Sequence, residues 1–331
     1  MRKRDHNGQR PAVAIVGPTA SGKTAVALHV AGAMGTEIIS VDSRQIYRRL
    51  DIGTAKPTPE EIRRVRHHLV DFVEPRENYS VGQYRRAVEA LVPRFEDAGM
   101  VPLFVGGTGL YLKAVLEGLC PAPPANSDLR QWLKRASRFP AGGLHELLAR
   151  IDPEAAGRIH PHDTYRLTRA LEVYYLTGET LSNRQDRHRS ADRPFRSLVI
   201  CLRRDAADLK DRIGRRLDQM LAAGFADEVA RLLDDGCDPG LPSLRAVGYP
   251  QMIRHLQGET SLDEAAAQIR RSTWQYARRQ MTWFRGVGDI VWMDADASSK
   301  ATALGDKVLS LLKREGLLRV RPRGPVPGKS D

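Results

Sequence analysis

The chain has 331 residues, 41% of them apolar, which is enough for one large or two modest domains with a sizeable core. No stretch approaches the ~18 consecutive apolar residues that a membrane span needs, so no membrane partner is expected and a cytoplasmic protein is. The net charge of +12 is compatible with a phosphate-rich partner, nucleic acid included, and equally with arginine simply being abundant.

In chain order, MRKRDHNGQR is basic and Pro11 to Val16 is apolar, a superficial likeness to a signal peptide. The apolar run is too short, and it leads straight into a glycine-rich turn. Ala12–Val16 reads as a strand, Gly17 to Thr24 (GPTASGKT) as the turn and Ala25–Met34 as a helix. The turn matches G-x-x-x-x-G-K-[ST] at every fixed position, the nucleotide-binding, ATP-binding type of phosphate loop. Its residues, Gly17, Pro18, Thr19, Ala20, Ser21, Gly22, Lys23 and Thr24, are expected to cradle a diphosphate or polyphosphate. Backbone N–H groups point inward, Lys23 supplies a point charge, and the Thr24 hydroxyl can ligate Mg²⁺.

Glu37–Val41 reads as a second strand, ending in Asp42. Thr58-Pro59-Glu60-Glu61 carries a helix N-cap, a first-turn proline and a capping-box Glu, which predicts a helix through His68. Gly82 to Ala98 is amphipathic, with Tyr84, Val88, Leu91 and Phe95 on one face. Val101–Val105 is a third strand, followed by Gly106-Gly107. This alternation predicts an α/β fold: a P-loop NTPase-like, doubly wound, mostly parallel sheet flanked by helices, with ligands at the carboxyl ends of its strands.

PAPPANSD, 121 to 128, reads as a linker. Leu129 to Thr177 carries helical signals only, with breaks at Gly142-Gly143 and Pro161, and predicts an inserted all-helical lobe. Arg184 to Arg196 reads as a basic loop. Strands resume at Ser197–Leu202 and Asp289–Asp294. The division expected is a catalytic core of 11–120 with 196–316, an insertion of 121–195, and flexible tails of 1–10 and 317–331. His160 and His162, in a Pro-containing turn, read as solvated or capping groups rather than metal ligands. The three cysteines, Cys120, Cys201 and Cys237, lie far apart without a C-x-x-C, which argues against disulfides and structural zinc.

The phosphate chemistry is narrowed by what ends the third strand. Hydrolases commonly place an Asp at a neighbouring strand end to hold the Mg²⁺ shell, whereas here Gly-Gly-Thr-Gly stands. Asp42 is placed to remove a nucleophile's proton, or else simply caps its turn. A small-molecule or nucleoside kinase, in which Asp42 deprotonates an acceptor hydroxyl, and a nucleotide-switched RNA-binding protein are the competing readings.

GPTASGKT, ISVDSRQIYRRLDIGTAKP, VGGTGLYLKAVLEGL, RIHPHDTYRLTRALEVYYLTG, LRAVGYPQM and RRQMTWFRG occur in that order, from about Ala12 to Asp294. Together they resemble the tRNA dimethylallyltransferase (isopentenyltransferase) family, which prenylates the adenosine 3′-adjacent to the anticodon. The resemblance implies dimethylallyl diphosphate as donor, the tRNA anticodon stem-loop as acceptor and Mg²⁺ as cofactor; a monomer is expected, though no motif fixes the oligomeric state. It implies that Lys23 holds the diphosphate, that Thr24 binds Mg²⁺ or a phosphoryl oxygen, and that Asp42 accepts the N6 proton. It places Thr108 at the reaction centre and brings Arg216, which alone would read as a surface helix residue, to the diphosphate. It assigns tRNA contacts to Asp42, Ser43, Arg44, Gln45 and Thr108, and in the insertion to Arg130, Arg166, Leu167, Thr168, Arg169 and Ala170. A base that must reach a buried allylic carbon is expected to flip out of its stack. In the stretch from Arg270 to Arg285, Trp274, Ala277, Met281 and Phe284 are expected to pack inward, with only some of the arginines facing substrate.

Overall fold

The computed structural model describes residues 9–136, 143–189 and 193–318. The chain divides into two units, one running up to Leu116 and resuming at Pro194, the other spanning Glu117–Arg193. The composition put these limits at 121 and 195.

In the first unit the elements are β1 (Arg10–Val16), α1 (Lys23–Met34), β2 (Ile38–Val41), α2 (Pro59–Arg64), β3 (His67–His68), α3 (Val81–Asp97), β4 (Leu103–Gly106) and α4 (Gly109–Leu116). The second unit supplies α5 (Ser127–Ala136), α6 (Gly143–Ile151), α7 (Pro153–Arg158), α8 (Thr164–Thr177) and α9 (Leu181–Arg189). The first unit resumes with β5 (Phe195–Arg204), α10 (Ala206–Ala222), α11 (Phe225–Asp234), a 3₁₀ turn at Ser243–Arg245, α12 (Tyr249–Leu256), α13 (Leu262–Arg285), β6 (Ile290–Ala295) and α14 (Ala301–Arg314).

The six strands form one parallel sheet in the order β3-β2-β4-β1-β5-β6. A parallel sheet is covered on both faces, so its strands are continuously apolar. β1 shows how. Val13 and Ile15 pack with α1 and α14, while Ala12, Ala14 and Val16 pack with residues of α3, α4 and α13. Each buried Val, Ile or Leu contributes about 1.5–3 kcal/mol relative to exposure. A third apolar cluster joins Ile46, Tyr47 and Leu50 to α11, α12 and α13.

The helix expected to run through His68 stops at Arg64. Thr58 and Glu61 do form the capping box, with Thr58 Oγ1 accepting the Glu61 N–H at 3.2 Å and Glu61 Oε2 accepting the Thr58 N–H at 2.9 Å. Val65 then turns extended to bury its side chain in the core, and His67–His68 pair with Ile38–Ile39 as β3. Tertiary pairing overrides a local helix signal there. The expected tails are corrected at their inner ends. Arg10 opens β1, and Leu317 is buried against α1 and α14. Residues 1–8 and 319–331 lie outside the described residues.

The second unit is all helical among its described residues, with its own core of Leu133, Leu144, Leu148, Ala155, Ala156, Leu167, Ala170 and Leu171. The expected basic loop at 184–196 is corrected. Arg184 and Arg187 lie in α9 and both ion-pair with Glu179, at 2.7 and 2.6 Å, and Arg196 belongs to β5. Residues 190–192 lie outside the described set.

Candidate active site

β1 ends at Val16 and the chain turns through Gly17–Gly22 into α1. Gly22 has φ 93°, a left-handed conformation open to glycine, and it starts α1 without a side-chain cap. The first-turn N–H groups of α1 thus keep their donors for a ligand. The carbonyls on the outer side of the turn are taken by arginines. Arg204 Nε donates to Ser21 O at 2.7 Å and Arg212 Nε to Ala20 O at 2.8 Å. Gln280 Oε1 accepts the Thr19 N–H at 2.9 Å. Lys23 Nζ donates to Pro18 O at 3.2 Å. Ser21 is fully buried, and its hydroxyl has no hydrogen-bond partner among the described residues.

The cradle is cationic. Burial, then the Arg216 guanidinium, pull the Lys23 ammonium down to about 8, while Asp42 pulls it the other way. Burial likewise holds Arg216 below the ordinary arginine range, again opposed by Asp42. Two crowded cations that share the influence of one carboxylate favour an anion of high charge density.

The opposite wall comes from the ends of β2 and β4. Asp42 Oδ1 accepts the Arg44 N–H at 2.8 Å and the Gln45 N–H at 3.3 Å, so one oxygen caps the turn. No hydrogen bond among the described residues occupies Oδ2. The capping and proton-accepting readings of Asp42 are therefore compatible, one for each oxygen. Thr108 Oγ1 accepts the Ser43 N–H at 3.1 Å, and the Thr108 N–H donates to Val41 O at 3.1 Å. Gln45 Nε2 donates to Ala55 O at 2.9 Å and to Thr54 O at 3.3 Å. Arg44 Nη1 donates to Pro242 O at 2.6 Å. Tyr276 of α13 also faces this wall, its phenol raised to about 12 by burial and by Asp42.

Both walls enclose one cavity of about 390 Å³, lined by Thr19, Ala20, Lys23, Thr24, Asp42, Ser43, Arg44, Gln45 and Arg216 among others. The strand ends thus bring together the phosphate loop, the Asp42 turn and Arg216, from positions up to about 200 residues apart. No group of three His, Cys, Asp or Glu among the described residues forms a metal site. His160 Nδ1 accepts the His162 N–H at 3.2 Å, a turn contact.

A phosphate cradle facing a carboxylate fits several transferases, and similarity decides among them. The family model described as IPP transferase matches residues 45–287, and one described as isopentenyl transferase matches 11–77. The tRNA dimethylallyltransferase of Syntrophobacter fumaroxidans is 48% identical over 286 residues, covering 86% of this chain and 84% of its own. That of Geobacter sulfurreducens is 44% identical, covering 86% and 92%. The chain belongs to the IPP transferase family. Among solved structures, the tRNA isopentenylpyrophosphate transferase of Bacillus halodurans matches with a TM-score of 0.69 at 36% identity, over 93% of this chain and 98% of that one. A eukaryotic dimethylallyltransferase shares the fold, with a TM-score of 0.81 at 23% identity.

In this IPP transferase the insertion residues do not all stand where a contact surface needs them. Arg166 is exposed, near Asp163 at 3.4 Å. Thr168 is partly exposed. Leu167 and Ala170 bury their side chains in the insertion's own core, which leaves only their backbone for the expected contact. Arg130 and Arg169 turn toward Glu172, a fully buried carboxylate. Arg130 donates to it at 2.8 and 2.9 Å, Arg169 at 2.6 Å and the Asn126 N–H at 2.8 Å. Burial raises the Glu172 pKa, but these bonds outweigh it and hold the carboxyl below its ordinary value.

Sequence reasoning missed Gln280, Tyr276, Arg204 and Arg212 in this family member. Gln280 had a signal: it lies on the same α13 face as the buried Ala277 and Phe284. A polar residue in an apolar stripe demands partners. Ala277 and Phe284 are buried as expected, while Trp274 and Met281 are only partly so.

Proposed function

We propose that this chain transfers a dimethylallyl group from dimethylallyl diphosphate to N6 of the adenosine 3′-adjacent to the anticodon of tRNA, releasing diphosphate. The observation that carries the reading is the single cavity in which the cationic phosphate cradle faces Asp42. The adenine N6 lone pair forms the new bond to the allylic carbon. The C–O bond breaks, and its electron pair leaves with the diphosphate. Lys23, Arg216 and the first-turn N–H groups of α1 meet the charge that grows there, in a partly desolvated site where such groups act strongly. As the bond forms, N6 becomes acidic, and Asp42 Oδ2 accepts its proton while Oδ1 keeps the turn in place.

The donor set suits Mg²⁺. Thr24 offers a hard hydroxyl oxygen, and this ion commonly takes one or two protein ligands with the rest from substrate phosphate and water. Thr24 would hold it. When bound, Mg²⁺ neutralises charge on the leaving group. The acceptor is read as a flipped base of the anticodon stem-loop, with Ser43, Arg44, Gln45 and Thr108 beside it and Arg166 on a backbone phosphate.

The deciding experiment incubates the protein with labelled dimethylallyl diphosphate and bulk tRNA, then digests the RNA. Prenylated adenosine, with pyrophosphate released only when tRNA is present, is the expected result. Label absent from adenosine would overturn the reading.

A further inference from the structure

Gln280 stands in the second half of α13 and is 7% exposed. A primary amide in such a place costs free energy unless its hydrogen bonds are made. Both are made, and they go to different walls of the cavity. Oε1 accepts the Thr19 N–H of the phosphate loop, at 2.9 Å. Nε2 donates to the Gly107 carbonyl, at 3.0 Å. Gly107 leads directly to Thr108, whose hydroxyl holds the Ser43 N–H beside Asp42. The fit is close on both sides. A Cβ at Gly107 would collide with the Gln280 amide nitrogen, and it would lie 3.2 Å from the Gly17 carbonyl. Next along the helix, Trp283 fills the space that a side chain at Gly109 would need.

Backbone ladder bonds fix the spacing of β1, β2 and β4 only as far as their ends. Beyond those ends the turns leave the ladder, and the reacting groups sit on the turns. Alkyl transfer needs nucleophile, carbon and leaving group nearly in line, and a displacement of an ångström costs about a hundredfold in rate. We propose that Gln280 is a positioning residue that sets the distance between the phosphate cradle and the acceptor turn. It touches no reacting atom and acts through Thr19 and Gly107. The inference rests on the prenyl-transfer reading above.

Two variants test it. Gln280→Met keeps the length and apolar volume and loses both hydrogen bonds. Gln280→Glu keeps an acceptor for Thr19, and only its protonated acid can donate to the Gly107 carbonyl. Both are compared with the wild-type enzyme by single-turnover prenylation at saturating donor and tRNA, alongside binding titrations and circular dichroism. The Met variant is expected to lose roughly 10- to 100-fold in rate with donor and tRNA affinities little changed. The Glu variant is expected to be slower than wild type and to recover relative to it as pH falls, burial and Asp42 favouring its acid form against the Lys23, Arg216 and Arg279 cations on the same cavity. The Met variant has no group to titrate, so its ratio to wild type stays flat.

Wild-type rate in a folded Met variant, or a loss confined to donor affinity, would overturn the positioning role. So would a Glu variant whose ratio to wild type ignores pH, and that measurement decides the matter if the Met variant does not fold. Wild-type enzyme that leaves tRNA unprenylated would instead bring down the underlying reading, and the inference with it.

Discussion

Under the proposed reaction, Lys23 stands where charge changes during turnover. Removing it as Lys23→Ala is expected to cost about 3 kcal/mol of transition-state stabilisation, roughly a hundredfold or more in rate, with the fold retained. Near-normal turnover of a folded variant at saturating donor would contradict this. The lowered Lys23 pKa of about 8 adds a pH signature. A diphosphate binds the ammonium form, so the thermal shift given by added pyrophosphate should shrink as pH rises through about 8. In the free protein the sign reverses. The folded value lies below the unfolded one of 10.5, so the group's stability cost is full below about 8 and fades as pH rises toward 10.5. A pyrophosphate shift unchanged up to about pH 9.5 would place Lys23 away from the ligand. Asp42 caps its turn through Oδ1, and the proposed reaction gives Oδ2 the proton, which makes Asp42→Asn informative. The Asn carbonyl can still accept the Arg44 and Gln45 N–H bonds, so the turn survives while the proton acceptor is lost. The chemical step is expected to fall about 10²–10⁴-fold with donor affinity nearly unchanged. Collapse of donor binding would assign Asp42 to the phosphate or metal shell, and an unchanged rate would leave it as a cap alone.

Among the elements, α8 separates two arginines that look alike in sequence. Arg166 is exposed, while Arg169 is held by buried Glu172 and by the Pro123 carbonyl at 2.8 Å. Arg166→Ala should lower the log–log salt slope of tRNA binding by about one and leave stability alone. Arg169→Ala should cost about 1–3 kcal/mol of stability in the insertion, since it leaves part of a buried carboxylate unpaired. Salt titrations and urea denaturation separate the two, and equal slope changes would mean that both reach phosphate. The same helix shows what a sequence can and cannot disclose. The phosphate loop, five of the six strands and the helical insertion were legible, because each rests on local chemistry: a turn pattern, an apolar run, a cap. β3 was not, since its two residues are strand only by virtue of pairing with β2. Lys23, Thr24, Asp42, Ser43, Arg44, Gln45 and Arg216, named by the resemblance, do line one space, and Thr108 adjoins it through its hydrogen bond to the Ser43 N–H. Apart from Arg169, three positions before Glu172 on the same helix, the Glu172 hub and the Gln280 bridge depend on partners 42 to 261 positions away, and no local pattern encodes those pairs.

For the whole molecule, the count of 52 lysines and arginines overstates what faces a polyanion. Arg204 is committed to Asp208, Arg203 to Asp294, and Arg130 and Arg169 to Glu172. Topology has a further consequence. β1 pairs with β4 along Val13–Val16 and with β5 along Arg10–Val16, and the insertion is encoded between β4 and β5. A ribosome making this chain therefore delivers the guest before the host can close. Until Arg204 has left the exit tunnel, the strand that bears the phosphate loop has one bare edge, a template for wrong pairing. The guest carries its own apolar core and its own buried ion cluster, so it can mature while the host waits. Stalled nascent chains ending near residue 240 and near residue 318 should differ under brief proteolysis. In both, the segment 117–193 should resist cutting, whereas the region around β1 should become resistant only in the longer one. Early protection of β1 in the shorter chain, with the end of β5 still inside the tunnel, would show that the first four strands fold without waiting.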